Sequence, residues 1–328
     1  MPLYKATIAA TASYLPEKVV TNHDLTKTLD TSHEWIFDRS GISSRHIAAD
    51  DEPASAMGIK AVRKLLEKHP INPADIDLII VPTSTPDMVF PATACIIQSA
   101  IGATNAGVFD LSAACSGYVF SINTAAVFIE SGKYKNVLVV ATEKYSTILN
   151  WQDRSTAFLF GDAANATLLT RAEEGHGIIA MHGGTDGGKP ELLCIPAGGS
   201  KNPVTAETVK NRMSTVHMKG GDVYKNAVPR FTETIEAVIA KAGLRKEDIA
   251  LIIPHQANIR IIKTVAKELG MSADKFMVNL EHYANTSSAS IGLALEEALA
   301  AGRIRTGDYV VLSAFGAGFS WGSTLIRW

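Results

Sequence analysis

Asp75-Ile-Asp-Leu-Ile-Ile80 returns later in the chain as Asp248-Ile-Ala-Leu-Ile-Ile253, identical at five of six positions. Each copy follows a helical stretch and a short turn, at Asn72-Pro73 in the first and Leu244-Arg-Lys-Glu247 in the second. Reading outward, the order persists. After the first copy, the apolar run Val108 to Leu111 leads to Cys115, a helix from Tyr118 to Glu130, Gly132 and the run Asn136-Val-Leu-Val-Val140. After the second, Phe276-Met-Val-Asn-Leu280 leads to Asn285, a helix through Ile291 and Leu299, Gly302 and Asp308-Tyr-Val-Val-Leu312. Chance gives one such match; two in one order predict an internal duplication.

The runs are mostly apolar, with single polar interruptions at Asp110 and Asn279, and alternate with helical stretches. That pattern belongs to sheets buried on both faces and covered by helices. The expected fold is α/β: two duplicated halves, residues 1–174 and 175–328, packed as a five-layer α-β-α-β-α body. The stretch from Gly175 to Gly221 is rich in Gly and Pro. It is expected to leave the pattern as a long excursion, either a cover over a site or a flexible linker.

Duplication also makes a geometric prediction. Cys115, His255 and Asn285 each fall just past the carboxyl end of an expected strand, Val108 to Leu111, Leu251 to Ile253 and Val278 to Leu280. Open sheets place their sites there, and halves related by a pseudo-twofold would bring the three together. Cys115 lies in Ser112-Ala-Ala-Cys115-Ser-Gly117, where a strand turns into a helix. Free N–H groups and the helix dipole at such a turn favour a thiolate, the form that attacks thioesters and other carbonyls. Read alone, the plainer reading comes first for each: Cys115 a small buried hydrophobe, His255 a satisfied structural histidine and Asn285 a helix cap.

Composition narrows the classes. The chain has 328 residues, 46% hydrophobic and 20% charged, with a net charge of −2. That balance gives a large buried core and no bulk attraction to nucleic acid or to an anionic membrane. Three cysteines, Cys95, Cys115 and Cys194, show no metal-ligand spacing and suit a reducing compartment. No signal-like start and no apolar run approaching 18 residues are present. A soluble cytoplasmic protein is expected.

In this order and spacing, six motifs resemble the thiolase-fold condensing enzymes, and among them β-ketoacyl-acyl carrier protein synthase III. They are Glu34-Trp-Ile-Phe-Asp-Arg39-Ser-Gly-Ile42, Ala113-Ala-Cys115-Ser-Gly117, Leu159-Phe-Gly-Asp162, His255-Gln-Ala-Asn258-Ile-Arg260, Asn285-Thr-Ser-Ser288 and Ala314-Phe-Gly-Ala-Gly-Phe-Ser-Trp321-Gly322. The resemblance spans essentially the whole chain. It implies a Cys115, His255, Asn285 triad, an oxyanion hole from the N–H groups of Cys115 and Ala317, and an acyl-Cys115 intermediate. The implied reaction joins an acyl-CoA primer to malonyl-acyl carrier protein with loss of carbon dioxide, with no cofactor and no metal.

The resemblance also assigns binding roles. Trp35 and Arg154 would hold the CoA adenine, Arg39 would lie near its phosphates, and Asn258 and Gly220 would line the pantetheine channel. Arg260 and Lys225 would meet the acidic carrier protein. Phe90 would cross a homodimer to floor the partner's acyl pocket. Ala317, Ala284, Ala163 and Asn165 stand where the family's pattern usually has glycine, which puts the acyl preference in doubt. A related acyltransferase or condensing enzyme of a specialised, polyketide-like pathway is the near alternative. A cysteine hydrolase and a non-catalytic scaffold are more remote.

Overall fold

The computed structural model describes residues 4–328. Two sheets carry the architecture. In the first, the strands Ala6–Tyr14, Ala163–Arg171, Val137–Glu143, Leu78–Pro82 and Gly107–Leu111 lie side by side in that order. The first two pairings are antiparallel and the last two parallel. In the second, Gly177–Thr185, Ser320–Arg327, Tyr309–Gly316 and Ile249–Pro254 repeat both the order and the directions.

The fifth place in the second sheet is nearly empty. Phe276 to Leu280, expected as a strand, contributes only a parallel bridge between Ile252 and Phe276. The backbone cannot stay extended there. Asn279 sits at φ −139°, ψ 2°, and Leu280–Tyr283 is already a helical turn. Its polar groups are satisfied off the sheet, with the Asn279 N–H on Gln256 Oε1 and its Nδ2 on Glu297.

Helices fill three layers. Gly117–Glu130 and Ser290–Ala300 pack between the sheets, where Ile122, Ile129, Leu295 and Ala298 meet strand residues of both halves. Ala54–Lys68 and Thr93–Ile101 cover the outer face of the first sheet through Met57, Val62, Leu65 and Ile97. Gly220–Lys241 and Ile259–Leu269 cover the second through Phe231, Ile235, Val265 and Leu269. The α-β-α-β-α body thus follows from strands apolar on both faces, which need helices on both sides.

Two further sequence expectations are corrected. Val108 to Leu111, expected to be buried, is only half-buried because Gly107–Leu111 is the open edge of its sheet. The expected excursion from Gly175 begins with the sheet strand Gly177–Thr185. Its glycines serve packing there: a Cβ on Gly184 would meet the Trp321 ring at 2.8 Å. The excursion proper, residues 186–219, is ordered by the short pair Leu193–Cys194 with His217–Met218 and by the helix Ala206–Lys210. It folds against the site.

Candidate active site

The edge strand Gly107–Leu111 delivers the chain to a tight turn. Ala114, at φ 46°, holds a conformation uncommon for a residue with a side chain. It starts the 3-10 turn Ala114–Ser116, and the helix Gly117–Glu130 follows. Cys115 therefore precedes the helix by two residues and is only 5% exposed. The small residues around it reflect crowding. A Cβ on Gly117 would lie 2.8 Å from the Pro82 side chain, and one on Gly316 would lie 2.9 Å from the backbone nitrogens of Cys115 and Ser116.

The other half repeats the device. Ser287 has φ 49°, begins the 3-10 turn Ser287–Ala289, and leads into the helix Ser290–Ala300. Ser288 thus occupies the place corresponding to Cys115, and Asn285 lies just before the turn. Asn285 does not cap the helix. Its Oδ1 accepts the Ser287 N–H at 2.8 Å, which leaves its Nδ2 as the free end of the amide. The backbone of Asn285 is clamped by the Leu159-Phe-Gly-Asp162 segment, its N–H on Leu159 O at 2.9 Å and its carbonyl accepting from Gly161 at 3.1 Å. Gly161 is required for that approach, since a Cβ there would sit 2.7 Å from the Tyr283 carbonyl. Asp162 fixes the segment by accepting from the N–H groups of Ala48 and Ser146 and from the Ser146 hydroxyl.

His255 follows the strand Ile249–Pro254 and is 2% exposed. Its Nδ1 lies 2.7 Å from Ser290 Oγ. Burial pulls its pKa down to about 3, so the ring is neutral at physiological pH.

The expectation of a thiolate at rest is corrected. Burial pushes the Cys115 thiol up to about 12; the Ser287 hydroxyl, 3.5 Å from the sulfur, works the other way. The dipole at the helix start acts against a larger desolvation cost. Beneath the thiol lies a carboxyl that the sequence reading missed. Glu143, fully buried at the end of the strand Val137–Glu143, accepts from Ser84 N–H at 2.9 Å, Thr85 Oγ1 at 3.1 Å and Ser288 Oγ at 2.7 Å. Burial raises it to about 7 in spite of these donors. Tyr145 was missed as well. Its ring stacks on Phe160 with centroids 4.7 Å apart, and its hydroxyl lies 3.1 Å from Ser287 Oγ.

Cys115, His255 and Asn285 line one cavity of about 410 Å³, together with Gly316 and Ala317. The N–H groups of Cys115 and Ala317 donate to no other residue among the described ones. The cavity runs outward past Gly220 and Asn258 to the exposed Arg39, and Leu193, Cys194 and Met218 of the excursion form part of its wall. Asn258 also caps the helix Ile259–Leu269, with Oδ1 on the Arg260 N–H and Nδ2 on Arg39 O.

Other residues singled out from the sequence lie outside the lining. Trp35 is half-buried at the rim, with the Arg39 guanidinium 4.3 Å and the Arg154 guanidinium 5.1 Å from its ring centroid. Arg154 is held by the Asp30 carbonyl at 2.8 Å. Arg260 donates twice to the Asp38 carbonyl, and Lys225 pairs with Asp222 on the surface. Phe90 is 83% exposed beside Met88 and Val89. Among the described residues no group of three His, Cys, Asp or Glu side chains is placed to hold a metal ion.

Two repeated sheets, a buried cysteine at a strained turn, and a histidine and an asparagine from the second half in the same cavity define a thiolase-fold condensing enzyme. Family profiles agree, "3-Oxoacyl-[acyl-carrier-protein (ACP)] synthase III" matching residues 109–187 and its C-terminal counterpart residues 239–328. The chain is 46% identical to a β-ketoacyl-[acyl-carrier-protein] synthase III of Caldanaerobacter subterraneus, over 98% of both proteins. It superposes with a TM-score of 0.91 on a 3-oxoacyl-[acyl-carrier-protein] synthase III from Aquifex aeolicus, 40% identical, covering 98% of this chain and all of that one. The priming β-ketosynthase of the R1128 polyketide pathway is also similar, with TM-score 0.90, 34% identity and coverage of 99% and 97%. This chain belongs to the β-ketoacyl-acyl carrier protein synthase III family.

Proposed function

We propose that the protein starts acyl chains by condensing an acyl-CoA primer with malonyl-acyl carrier protein through an acyl-Cys115 intermediate. One observation carries this reading: the buried thiol, a neutral histidine and an asparagine whose acceptor oxygen is already engaged share a single largely apolar cavity. In the first half-reaction the Cys115 sulfur bonds to the thioester carbon and the bond to the CoA sulfur breaks. Net transfer of the Cys115 proton to the departing sulfur balances the step. The unengaged N–H groups of Cys115 and Ala317 suit the oxyanion, worth about 3 kcal/mol each.

In the second half-reaction the malonyl carboxylate leaves as carbon dioxide and its electron pair becomes an enolate. Two neutral donors, His255 Nε2–H and Asn285 Nδ2, suit the thioester oxygen of that enolate. The carbon then bonds to the acyl carbonyl, and the Cys115 sulfur leaves as a thiolate that takes up one proton from solvent, restoring the thiol. Decarboxylation itself supplies the carbanion, so no strong base is needed, and a low-water cavity protects the acyl-enzyme.

The CoA nucleotide belongs at the Trp35 rim, with Arg39 and Arg154 as its cationic partners. A base entering between Trp35 and Arg154 displaces the guanidinium from its present close approach. Arg260 and Lys225 face solvent for an acidic carrier, Arg260 with its guanidinium already anchored on Asp38. A homodimer is supported by the open, half-exposed edge Gly107–Leu111 next to the exposed Met88-Val89-Phe90, a combination natural proteins cover. A cytoplasmic setting fits a chain in which no helix of the described residues is long and apolar enough to cross a membrane, and no organic cofactor enters this chemistry.

The likeness to a polyketide priming synthase supports a second reading, the same condensation with a specialised primer. Intact-mass measurement after incubation with a panel of acyl-CoAs is expected to show one acyl adduct, absent in Cys115→Ala. Labelled malonyl-acyl carrier protein then gives carbon dioxide and a 3-oxoacyl product. No carbon dioxide with any primer would sink the condensing reading, and the identity of the best primer separates the two pathways.

A further inference from the structure

The role open to His255 depends on which ring nitrogen carries the proton. With the proton on Nδ1, Nε2 is an acceptor and the ring can take a proton from Cys115. With the proton on Nε2, the ring meets the cavity as a donor and has no site left for that proton. The choice is made behind the ring, where Nδ1 faces Ser290 Oγ at 2.7 Å.

Ser290 is 1% exposed and opens the helix Ser290–Ala300. Its oxygen already accepts the Gln256 N–H at 3.3 Å. That N–H is immobile, because the Gln256 side chain is bonded at both ends, Nε2 to the carbonyls of Pro254 and Met277 and Oε1 to the Asn279 N–H. The hydroxyl proton of Ser290 has no bonded acceptor among the described residues other than His255 Nδ1. If Nδ1 carried a proton instead, that hydroxyl would be a buried donor with nowhere to point, at a cost of about 1–3 kcal/mol. Desolvation keeps the ring from taking a second proton.

We propose that Ser290 is a positioning residue that holds His255 in its Nε2–H form, so that the ring serves the cavity as a hydrogen-bond donor and does not deprotonate Cys115. It parallels Asn285, whose oxygen is occupied by the Ser287 N–H while its NH2 group stays available. The two site residues from the second half are thereby both presented as donors. The inference rests on the condensing reaction above for its kinetic arm alone; the tautomer can be read without any substrate.

The test uses the full-length protein with ¹⁵N-labelled histidine and reads the ring nitrogens of His255 by NMR, assigned by comparison with His255→Ala. The Nε2–H form is expected in the native protein and a mixture of both forms in Ser290→Ala. Acylation of Cys115 by acyl-CoA and decarboxylation of malonyl-acyl carrier protein are then timed separately. In Ser290→Ala decarboxylation is expected to fall about 10- to 100-fold, by analogy with the loss of an outer hydrogen-bond partner behind a metal-bound histidine, while acylation stays within about 3-fold. Ser290→Thr, which keeps the hydroxyl, restores decarboxylation. An Nδ1–H ring in the native protein overturns the proposal whatever the reaction. So does a Ser290→Ala protein whose two steps fall equally, or one whose decarboxylation is unchanged. A native Nε2–H ring in a protein that condenses nothing supports the role of Ser290 and removes the functional reading.

Discussion

Ser287 reaches across the two halves to Cys115: its hydroxyl oxygen lies 3.5 Å from the sulfur. The sulfur itself is buried in a site that pushes its pKa from 9.0 up to about 12. At pH 7 the resting nucleophile is therefore a thiol, and the thiolate fraction rises about tenfold with each pH unit. Alkylation of Cys115 by iodoacetamide, followed by intact mass, should accelerate steadily from pH 7 to 9.5 without levelling. Ser287→Ala removes a donor that favours the thiolate, so alkylation should be slower at every pH. A plateau below pH 8 in the native protein would show that the helix start outweighs burial.

Glu143 gives a stability prediction. Its folded pKa of about 7 lies above the ordinary 4.5 because burial disfavours its charge. Between those values the folded protein holds a proton that the unfolded chain has lost. The contribution is complete below about pH 4.5 and is lost as pH rises through 7. Glu143→Gln removes this dependence. The amide keeps one oxygen for Ser84 N–H and Thr85, and Ser288 can turn its proton to Pro82 O at 3.1 Å. Urea unfolding should show the variant gaining on the native protein from pH 5 to pH 8, by up to about 3 kcal/mol. A pH-independent difference would place the ionisation elsewhere.

Much of this architecture was legible in the chain itself. The repeated Asp-Ile-x-Leu-Ile-Ile run marks the matching parallel strand of both sheets, Leu78–Pro82 and Ile249–Pro254, because strands covered on two faces leave a composition that cannot hide. Cys115, His255 and Asn285 were legible from their places after strands and from motif order. Glu143 and Ser290 were not. A carboxylate ending an apolar strand reads as the first exposed residue, and a serine before a helix reads as a cap. Only the crossing of the two halves turns one into a fully buried acid and the other into a partner for a histidine. The missing fifth strand at Phe276 escaped for the opposite reason: the apolar pattern was present, but Asn279 turns the backbone out of the sheet.

Gly316 is the point where the second half presses on the nucleophile. A methyl group there would lie 2.9 Å from the backbone nitrogens of Cys115 and Ser116, and neither backbone segment is free to yield as a flexible side chain would. Gly316→Ala is therefore expected to shift the nucleophile turn or the adjoining Ala317. Misplacement on the order of 1 Å costs about 100-fold, so the rate of acyl-enzyme formation should fall by that order. Thermal unfolding is expected to show a loss of about 1–3 kcal/mol, the usual cost of overpacking. Acylation within twofold of native would mean that the turn tolerates the displacement.

Tyr145 bears on which acyl group the thiol accepts. Its ring lines the cavity that contains Cys115, lies flat against Phe160 and is pinned by the Ser287 hydroxyl. A ring held on its face and at its tip cannot swing away to admit a longer chain. It also occupies volume that an aliphatic side chain would leave open. Tyr145→Leu should therefore extend the longest primer that acylates Cys115 efficiently, by about one carbon if the space opened is filled by a chain methylene. The same change frees Ser287 from Tyr145, so acylation by short primers should not slow. Intact-mass profiles across a series of straight-chain acyl-CoAs check both points. An unchanged length limit with the ring removed would show that the acyl chain runs along a different wall of the cavity.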